Sequence, residues 1–258
     1  MYQMLTDEQF KLIQPYFPKP RKPEKIPLKR CMDAICYVLK TGCAWRQMPY
    51  DYREKENDWH TIYTRYKRWS ESGLFGQMLR ALEVADVLQV RIAFLDSTTN
   101  RAHHSAAGAM KKGPQALGRS RGGYTTKIHM IAGDPDHGMH FVLTGGEVSD
   151  VKVGKQILRD YSFPKTVDHL AMDKGYSCYK VLELCKEKGI TPVVPPKAKM
   201  KFPWEYNKNI YAYRNEIERL FHRMKNYRRI STRYDKLDLM YASFISLCLV
   251  ALLLKVLC

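Results

Sequence analysis

Acidic residues are scarce in this sequence. Its 258 residues include 26 Asp and Glu against 43 Lys and Arg, which gives a formal net charge of +17 at pH 7. Residues 91–258 hold most of the excess, and no acidic residue occurs between Ser97 and Gly133. A surface that served solubility alone would mix the two signs more evenly. The excess therefore indicates a polyanionic partner, for which nucleic acid is the first candidate and a merely solvated charged face is the alternative.

Paired cysteines and a targeting segment are also missing. The seven cysteines form no C-x-x-C pair and their number is odd, which argues against a disulfide framework or a zinc ribbon. The N-terminal stretch MYQMLTDEQF lacks the basic-then-apolar pattern of a signal peptide. The apolar stretch at 239–254 is shorter than the roughly 20 residues that span a bilayer. We therefore expect a cytoplasmic protein with no membrane segment, in which this stretch is a buried helix.

Residues 1–90 have the patterns of a small all-helical domain. LTDEQFKLIQPYF opens with the spacing of a capping box, and LKRCMDAICYVLKTG ends on a glycine suited to a helix C-terminus. NDWHTIYTRYKRW has apolar residues at helical spacing, with three basic residues between them. We predict a helix-turn-helix-like DNA-binding domain in which this last helix contacts DNA. Its predicted contact residues are Arg65, Lys67 and Arg68.

Residues 91–258 change to short apolar runs separated by helical segments. The patterns predict three strands, a helix, a strand, a helix, a strand and two C-terminal helices, which is a mixed α/β sheet with flanking helices. The segment 101–123 is rich in Gly, Ser and basic residues and is predicted to be a loop that faces DNA. Phosphate contacts are predicted in and after this loop at Arg119, Arg121 and Lys127.

Two carboxylates follow predicted strands: Asp96 comes after RIAFL and Asp173 after HLAM. Ligand sites of α/β proteins gather at strand ends. Carboxylate oxygens suit Mg²⁺, which keeps several of its waters and needs few protein ligands. Two such ions about 4 Å apart can stabilise the attacking and leaving oxygens of a phosphoryl displacement. An aspartate that only terminates a strand is the plain alternative.

The stretch YAYRNEIERLFHRMK contains two glutamates in a basic setting. If the stretch is one helix of about 100° per residue, four of its polar residues share an arc of about 60°. These are Tyr211, Arg214, Glu218 and Lys225. Glu216 falls beyond an apolar stripe, away from this arc. The spacing favours Glu218 as a metal ligand, with exposed Glu–Arg pairs as the alternative.

These motifs resemble those of the DDE transposases of bacterial insertion sequences, in particular the insertion sequence five branch. That family carries Tyr, two residues, Arg, three residues, Glu, six residues and Lys, which this sequence matches in full from Tyr211 to Lys225. LDST and MDKGY correspond to its first and second aspartate motifs. GRSRGGYTTKIH and YRRISTRYDK are also similar to stretches of the family, and the similarity runs from about Leu5 to the last helix.

The resemblance implies an α/β chain with a ribonuclease-H-like catalytic domain at 91–258, preceded by the helical domain at 1–90. It implies a metal-dependent endonuclease and strand transferase. Such an enzyme binds the terminal inverted repeats of its insertion sequence, cleaves the ends and joins the 3′-hydroxyl to target DNA. The implied cofactor is Mg²⁺ or Mn²⁺, as two ions, held by catalytic residues at Asp96, Asp173 and Glu218. A homodimer on double-stranded DNA, associated with the bacterial nucleoid, is the expected assembly.

Further DNA contacts are predicted beside the matched motifs, at Tyr211, Arg214, Lys225, Lys174, Tyr176, Arg228 and Arg229. Two alternative functions stay open. The first is a DNA-binding repressor that uses only residues 1–90, which would not need three carboxylates in these contexts. The second is a domesticated nuclease, derived from a transposase, that cuts DNA without joining it.

Overall fold

The structure is a computed structural model that describes residues 3–20, 23–53, 55–87, 89–108, 113–120 and 122–255. The chain divides into two compact units. The helical unit comprises residues up to 82, 103–115 and from 224 onward, and the sheet unit comprises residues 83–102 and 116–223. The predicted boundary after residue 90 differs from this division, in which the C-terminal segment groups with the N-terminal helices. The functional roles of the domains 1–90 and 91–258 stay predictions.

The helices are, in chain order, α1 (Asp7–Ile13), α2 (Leu28–Thr41), α3 (Asp58–Glu71), α4 (Leu74–Val87), α5 (Asp150–Asp160), α6 (Tyr179–Glu187), α7 (Lys208–Ala212), α8 (Asn215–Lys225), α9 (Arg228–Ser231) and α10 (Asp238–Leu253). The strands are β1 (Ile92–Ala102), β2 (Gly118–Ser120), β3 (Gly123–Ala132), β4 (Gly138–Gly145), β5 (His169–Met172), β6 (Thr191–Val193) and β7 (Thr232–Arg233).

Local signals set the ends of the first two helices. The Thr6 hydroxyl accepts a hydrogen bond from the amide of Gln9, and the Gln9 side chain accepts one from the amide of Thr6. This reciprocal arrangement is the predicted capping box. Helix α2 ends at Gly42, whose φ of 69° is in the left-handed region that favours glycine. Both helix ends therefore confirm the predictions from sequence.

The helical unit is held together by packing between α3 and α10. Ile62, Tyr66 and Trp69 are buried members of the apolar stripe of α3, and the ring of Tyr66 stacks on Phe244 with 4.4 Å between centroids. The Tyr66 hydroxyl donates to the carbonyl of Met240 at 2.6 Å. Helix α10 is buried along most of its length, as its composition predicts. In the part of the chain that the structure describes, no helix is both long and apolar enough to cross a bilayer.

The sheet unit has the strand order β4-β3-β1-β5-β6. Strands β4, β3 and β1 pair antiparallel with one another, whereas β5 and β6 run parallel to β1. Short β2 extends the β4 side of β3. Three antiparallel strands followed by two parallel ones, with helices between the parallel strands, form the predicted ribonuclease-H-like fold. The segment 101–123 is not wholly a loop, because β1 and β2 take up its two ends.

Helices α5 and α6 cover one face of this sheet. Their apolar side chains form a core with alternate residues of the central strands, including Leu95, Leu170, Val153, Ile157, Val181 and Leu184. Residues that alternate with Leu95 along β1 leave the sheet on its other face. This alternation decides which polar side chains of β1 can meet.

Candidate active site

The first two predicted carboxylates lie side by side. In the parallel pair of β1 and β5, the last paired residues are Leu95 and Met172. The next residue on each strand is an aspartate, Asp96 or Asp173, where β5 ends. Asp96 itself does not end its strand, contrary to the prediction, because β3 continues to pair with β1 as far as Arg101. The two aspartates therefore stand at the point where the pairing of β1 with β5 ends.

One guanidinium joins two of the predicted carboxylates. Arg214 Nη1 donates to Asp96 Oδ2 at 3.1 Å, and Arg214 Nη2 donates to Glu218 Oε1 at 2.6 Å. The Asp96 and Arg214 side chains are only 17% and 19% exposed, so solvent screens their attraction weakly. Asp96 and Glu218 lie far apart in the sequence, and the structure brings them to the same cation.

The stretch predicted as one helix is divided at this point. Helix α7 ends at Ala212 and α8 begins at Asn215. Across the break, backbone amides donate to carbonyls three residues back instead of four. A turn of three residues places Arg214 over Tyr211, and its guanidinium carbon is 5.9 Å from the ring centroid. The single continuous helix is therefore wrong, but Tyr211 stays beside Arg214 across the break, and Arg214 and Glu218 meet through i, i+4 spacing.

The two glutamates of α8 have different partners. Glu216 accepts a hydrogen bond from Arg219 at 2.6 Å, away from Asp96. Buried side chains form the stripe that separates the two glutamates, namely Ile217, Leu220, Phe221 and Met224. The separation agrees with the helical spacing in the sequence.

Burial raises the pKa of Asp96 to about 6. The amide hydrogen bond from Ser97 and the charge of Arg214 act in the opposite direction, whereas the charges of Asp173 and Glu218 raise the pKa further. Asp173 and Glu218 are thus close enough to Asp96 for their negative charges to disfavour its ionisation. We call Asp96, Asp173 and Glu218 the carboxylate cluster. Like charges gathered in a partly buried position are typical of a site that holds a cation.

A second polar group on the opposite face of β1 was missed by the sequence analysis. Ser97 Oγ and Lys127 Nζ donate to Asp150 Oδ1 at 2.8 and 3.0 Å, and Lys127 also donates to the carbonyl of Val148 at 2.8 Å. Only 12% of the Lys127 side chain is exposed. Its ammonium is thus committed to internal partners, not to a free phosphate contact as predicted. The one feature of the sequence that could have indicated this group is Asp150, an acidic residue at the start of a predicted helix.

Three other predicted DNA contacts are also directed inward. Tyr176 is 1% exposed and Arg229 is 5% exposed, so neither reaches the surface. Arg229 donates to both carboxylate oxygens of Asp235, at 3.1 and 2.8 Å. Arg65 donates to the carbonyl of Ile26 at 2.7 Å and has 18% of its side chain exposed. The structure contradicts these predicted DNA contacts. Tyrosine and arginine side chains can be buried when their polar atoms are enclosed or bonded to other groups of the protein, as they are here.

The remaining predicted contacts lie where a partner could reach them. The exposed ones are Lys67, Arg68, Arg119, Lys174, Lys225 and Arg228. Tyr211 is partly exposed. Arg121 lies outside the described residues.

The donor chemistry of the carboxylate cluster fits a hard divalent ion, because all of its donors are oxygens. Two of its members already bind a positive charge, the guanidinium of Arg214. Among the described residues, no three acidic, histidine or cysteine side chains are close enough together to hold a metal as they stand. The residues thus fit the ion in kind, and Arg214 occupies the space between Asp96 and Glu218.

Comparison with known sequences agrees with the geometry. Residues 5–79 match the family model of a transposase of the IS4/5 family, and residues 89–253 match that of the transposase DDE domain. The chain is 32% identical over 110 residues to an uncharacterized protein, y4sN, of Sinorhizobium fredii. The matched region covers 42% of this chain and 83% of that protein. It is 30% identical over 110 residues to the insertion element IS402 uncharacterized 16.2 kDa protein of Burkholderia cepacia, which covers 38% of this chain and 74% of the relative.

Two solved structures show a weaker likeness. One is a crystal structure of a pre-cleavage Mos1 transpososome, with 10% identity, a TM-score of 0.27 and coverage of 82% of this chain and 81% of that chain. The other is a Mos1 transposase paired-end complex with the left transposon end, with 11% identity, a TM-score of 0.26 and coverage of 80% of each chain. TM-scores this low support no structural conclusion.

Proposed function

Because this chain belongs to the IS4/5 family of DDE transposases, we propose that it binds the terminal inverted repeats of its insertion sequence, cleaves the DNA ends and joins the freed 3′-hydroxyl to target DNA. The carboxylate cluster is the catalytic centre. Mg²⁺ or Mn²⁺, as two ions, is the cofactor, and a homodimer carries the two transposon ends. One observation supports the proposal most: Asp96 and Glu218 accept hydrogen bonds from the same guanidinium, and Asp173 follows the β5 residue that pairs with the neighbour of Asp96.

The chain's own residues divide the work. Asp96, Asp173 and Glu218 would hold the ions, which when bound supply charge stabilisation to the attacking and leaving oxygens. The planar fork of Arg214 matches the oxygens of a phosphate, so it would orient the scissile strand beside the cluster. Exposed Lys174, directly after Asp173, would position the backbone nearby. Positioning and electrostatics carry most of the catalysis in phosphoryl transfer, so no covalent protein–DNA intermediate is required.

The two glutamates of α8 supply the sharpest test. Glu218→Gln removes a charge from the carboxylate cluster at nearly constant size, and we expect cleavage to fall below detection while the chain stays folded. Glu216→Gln removes a charge that lies on Arg219 instead, so it should cost at most about 1 kcal/mol, the value of a surface ion pair. Cleavage is measured in Mg²⁺ on a labelled duplex that carries the inverted repeat flanking the gene. An inactive Glu216→Gln beside an active Glu218→Gln would refute the assignment.

The aspartates extend this test and separate cutting from binding. Asp96→Asn and Asp173→Asn should each abolish cleavage but leave binding to the same duplex largely intact, because most affinity comes from contacts to phosphates elsewhere. A strand-transfer assay with precleaved ends then distinguishes a transposase from a nuclease that only cuts. Joined product from the unaltered chain supports transposition, and its absence with normal cleavage favours the nuclease.

The helical unit is proposed to read the transposon ends. Lys67 and Arg68 are exposed on α3, and residues 5–79 match their own transposase family model. The double variant Lys67→Ala, Arg68→Ala should reduce the ratio of affinities for end duplex and random duplex, measured at one fixed salt concentration. If the ratio is unchanged while both affinities fall, these residues contact only the DNA backbone.

A further inference from the structure

We infer that Arg214 is an internal cation that occupies the carboxylate cluster until DNA draws it away, so that the divalent ions enter only with the substrate. The inference rests on the proposed function of the cluster. It deepens that function because it assigns a regulatory role to one side chain of the site. Its starting point is the pair of bonds from one guanidinium to Asp96 and Glu218.

The guanidinium cannot leave the cluster by losing its proton. Arginine remains charged at every pH that a folded protein meets, so the positive charge between the carboxylates is permanent. A divalent ion that used oxygens of both Asp96 and Glu218 would have to displace this charge or bind beside it. Two cations at contact distance in a partly buried position repel each other strongly. Ion binding and the two hydrogen bonds of Arg214 therefore exclude one another.

Arg214 is placed so that it can change partners. It lies in the turn between α7 and α8, where three-residue hydrogen bonds replace the regular helical ladder. The other charged partner within reach of an arginine fork at such a site would be a DNA phosphate, whose oxygens match it as well as a carboxylate does. A phosphate that binds Arg214 would release Asp96 and Glu218 together, because both depend on the same group.

The arrangement predicts thermodynamic coupling between DNA and metal. If DNA removes a competitor of the ion, DNA must tighten ion binding, and the ion must tighten DNA binding by the same factor. A transposase so built would keep its ion site empty away from DNA. The consequence is a chain that acquires hydrolytic power only when a phosphodiester lies beside the cluster.

The decisive measurement is Mn²⁺ binding to the full chain without DNA, followed through the electron paramagnetic resonance signal of free Mn²⁺. Arg214→Gln should bind Mn²⁺ about tenfold or more tightly than the unaltered chain, the equivalent of one charge-assisted hydrogen bond. Arg219→Gln is the matched control, because it breaks an ion pair with Glu216 that has the same N–O distance as the pair of Arg214 with Glu218. The control should bind Mn²⁺ within about twofold of the unaltered chain.

A second measurement tests the exchange itself. A 30-base-pair duplex of random sequence is added, and Mn²⁺ affinity is measured again. DNA phosphates themselves bind Mn²⁺, so the comparison is between variants. The gain in Mn²⁺ affinity should be larger in the unaltered chain than in Arg214→Gln. An equal gain in both would refute the exchange, and Arg214→Gln that binds Mn²⁺ no better than the unaltered chain would refute the competition.

The double variant Asp96→Asn, Arg214→Gln separates this inference from the proposed function. It should lose the tight Mn²⁺ site, while thermal melts confirm that it is folded. If the double variant keeps the tight site, Mn²⁺ binds elsewhere and the proposed catalytic centre is wrong. If Asp96→Asn alone abolishes Mn²⁺ binding but Arg214→Gln changes nothing, the centre stands and only the role of Arg214 falls.

Discussion

The buried, ionised carboxylate of Asp96 should lower the free energy of unfolding, and its replacement should reveal by how much. Burial raises the pKa of this carboxyl to about 6 from an ordinary value of 3.8. Below pH 3.8 both the folded and the unfolded chain hold the proton, and the group costs nothing. As the pH rises toward 6, the unfolded chain releases the proton first, so folding stability falls. Above pH 6 both forms are ionised and the full cost is present.

Asparagine imitates the protonated carboxyl at every pH, so Asp96→Asn should remove this cost. The shift in pKa corresponds to about 3 kcal/mol at pH 8 and about 1.5 kcal/mol at pH 5. Both are upper values, because 17% of the side chain keeps contact with water. At about 2–4 °C per kcal/mol, the melting temperature at pH 8 should rise by roughly 6–12 °C. The gain at pH 5 should be about half as large.

Thermal melts in metal-free buffer from pH 5 to 8 measure the effect. Asp134→Asn is a control of opposite sign. Burial raises the pKa of Asp134, but the hydrogen bonds from His137 and from the amide of Asp136 outweigh it, so the pKa is lowered. That carboxylate stabilises the fold at neutral pH, and its loss should lower the melting temperature there. If Asp96→Asn is no more stable than the unaltered chain at pH 8, or if its gain does not grow with pH, burial of this charge is not the cause.

Two further changes test the packing around the site and in the helical unit. Gly154→Ala places a Cβ 2.7 Å from a ring carbon of Tyr176, so it should lower the free energy of unfolding by about 1–3 kcal/mol in denaturant titration. The control Gly76→Ala meets only the flexible end of a side chain at 3.6 Å and should be neutral or stabilising. A stable Gly154→Ala would show that the ring moves freely. Arg229→Ala leaves the buried carboxylate of Asp235 unpaired and should lower the free energy of unfolding by about 3–5 kcal/mol. The exposed control Arg228→Ala should lower it by less than about 0.5 kcal/mol. Equal melting temperatures of the two variants would contradict this.

Short-range features of the chain could be predicted from the spacing of residues. The capping box at Thr6, the helix end at Gly42 and the buried helix α10 all depend on residues within one or two turns of each other. The separation of Glu216 from Glu218 also depends on one helix. Such features need no knowledge of the rest of the fold, because backbone geometry alone relates the residues concerned.

The errors have a common physical origin. Tyr176, Arg229 and Lys127 were predicted to meet DNA because they are polar residues in a basic chain, but each has its polar end within the protein. Burial depends on which elements cover a residue, and a long amphipathic side chain serves either environment. The length of β1 was underestimated for a related reason, since its polar second half is kept in the sheet by its pairing with β3.

The sequence by itself determined the main helices and strands around the site and their order, but not β2 or the break between α7 and α8. It also determined which three carboxylates follow or lie on these elements, because hydrophobic period and motif spacing are local properties. The tertiary structure alone decided that Asp96 and Asp173 stand side by side, since that depends on the register of two strands far apart in the chain. It alone placed the guanidinium of Arg214 between Asp96, 118 residues away, and Glu218, four residues away. A charged side chain pairs with the oppositely charged groups that the fold places next to it, and the spacing of residues in the sequence does not reveal which distant group that is.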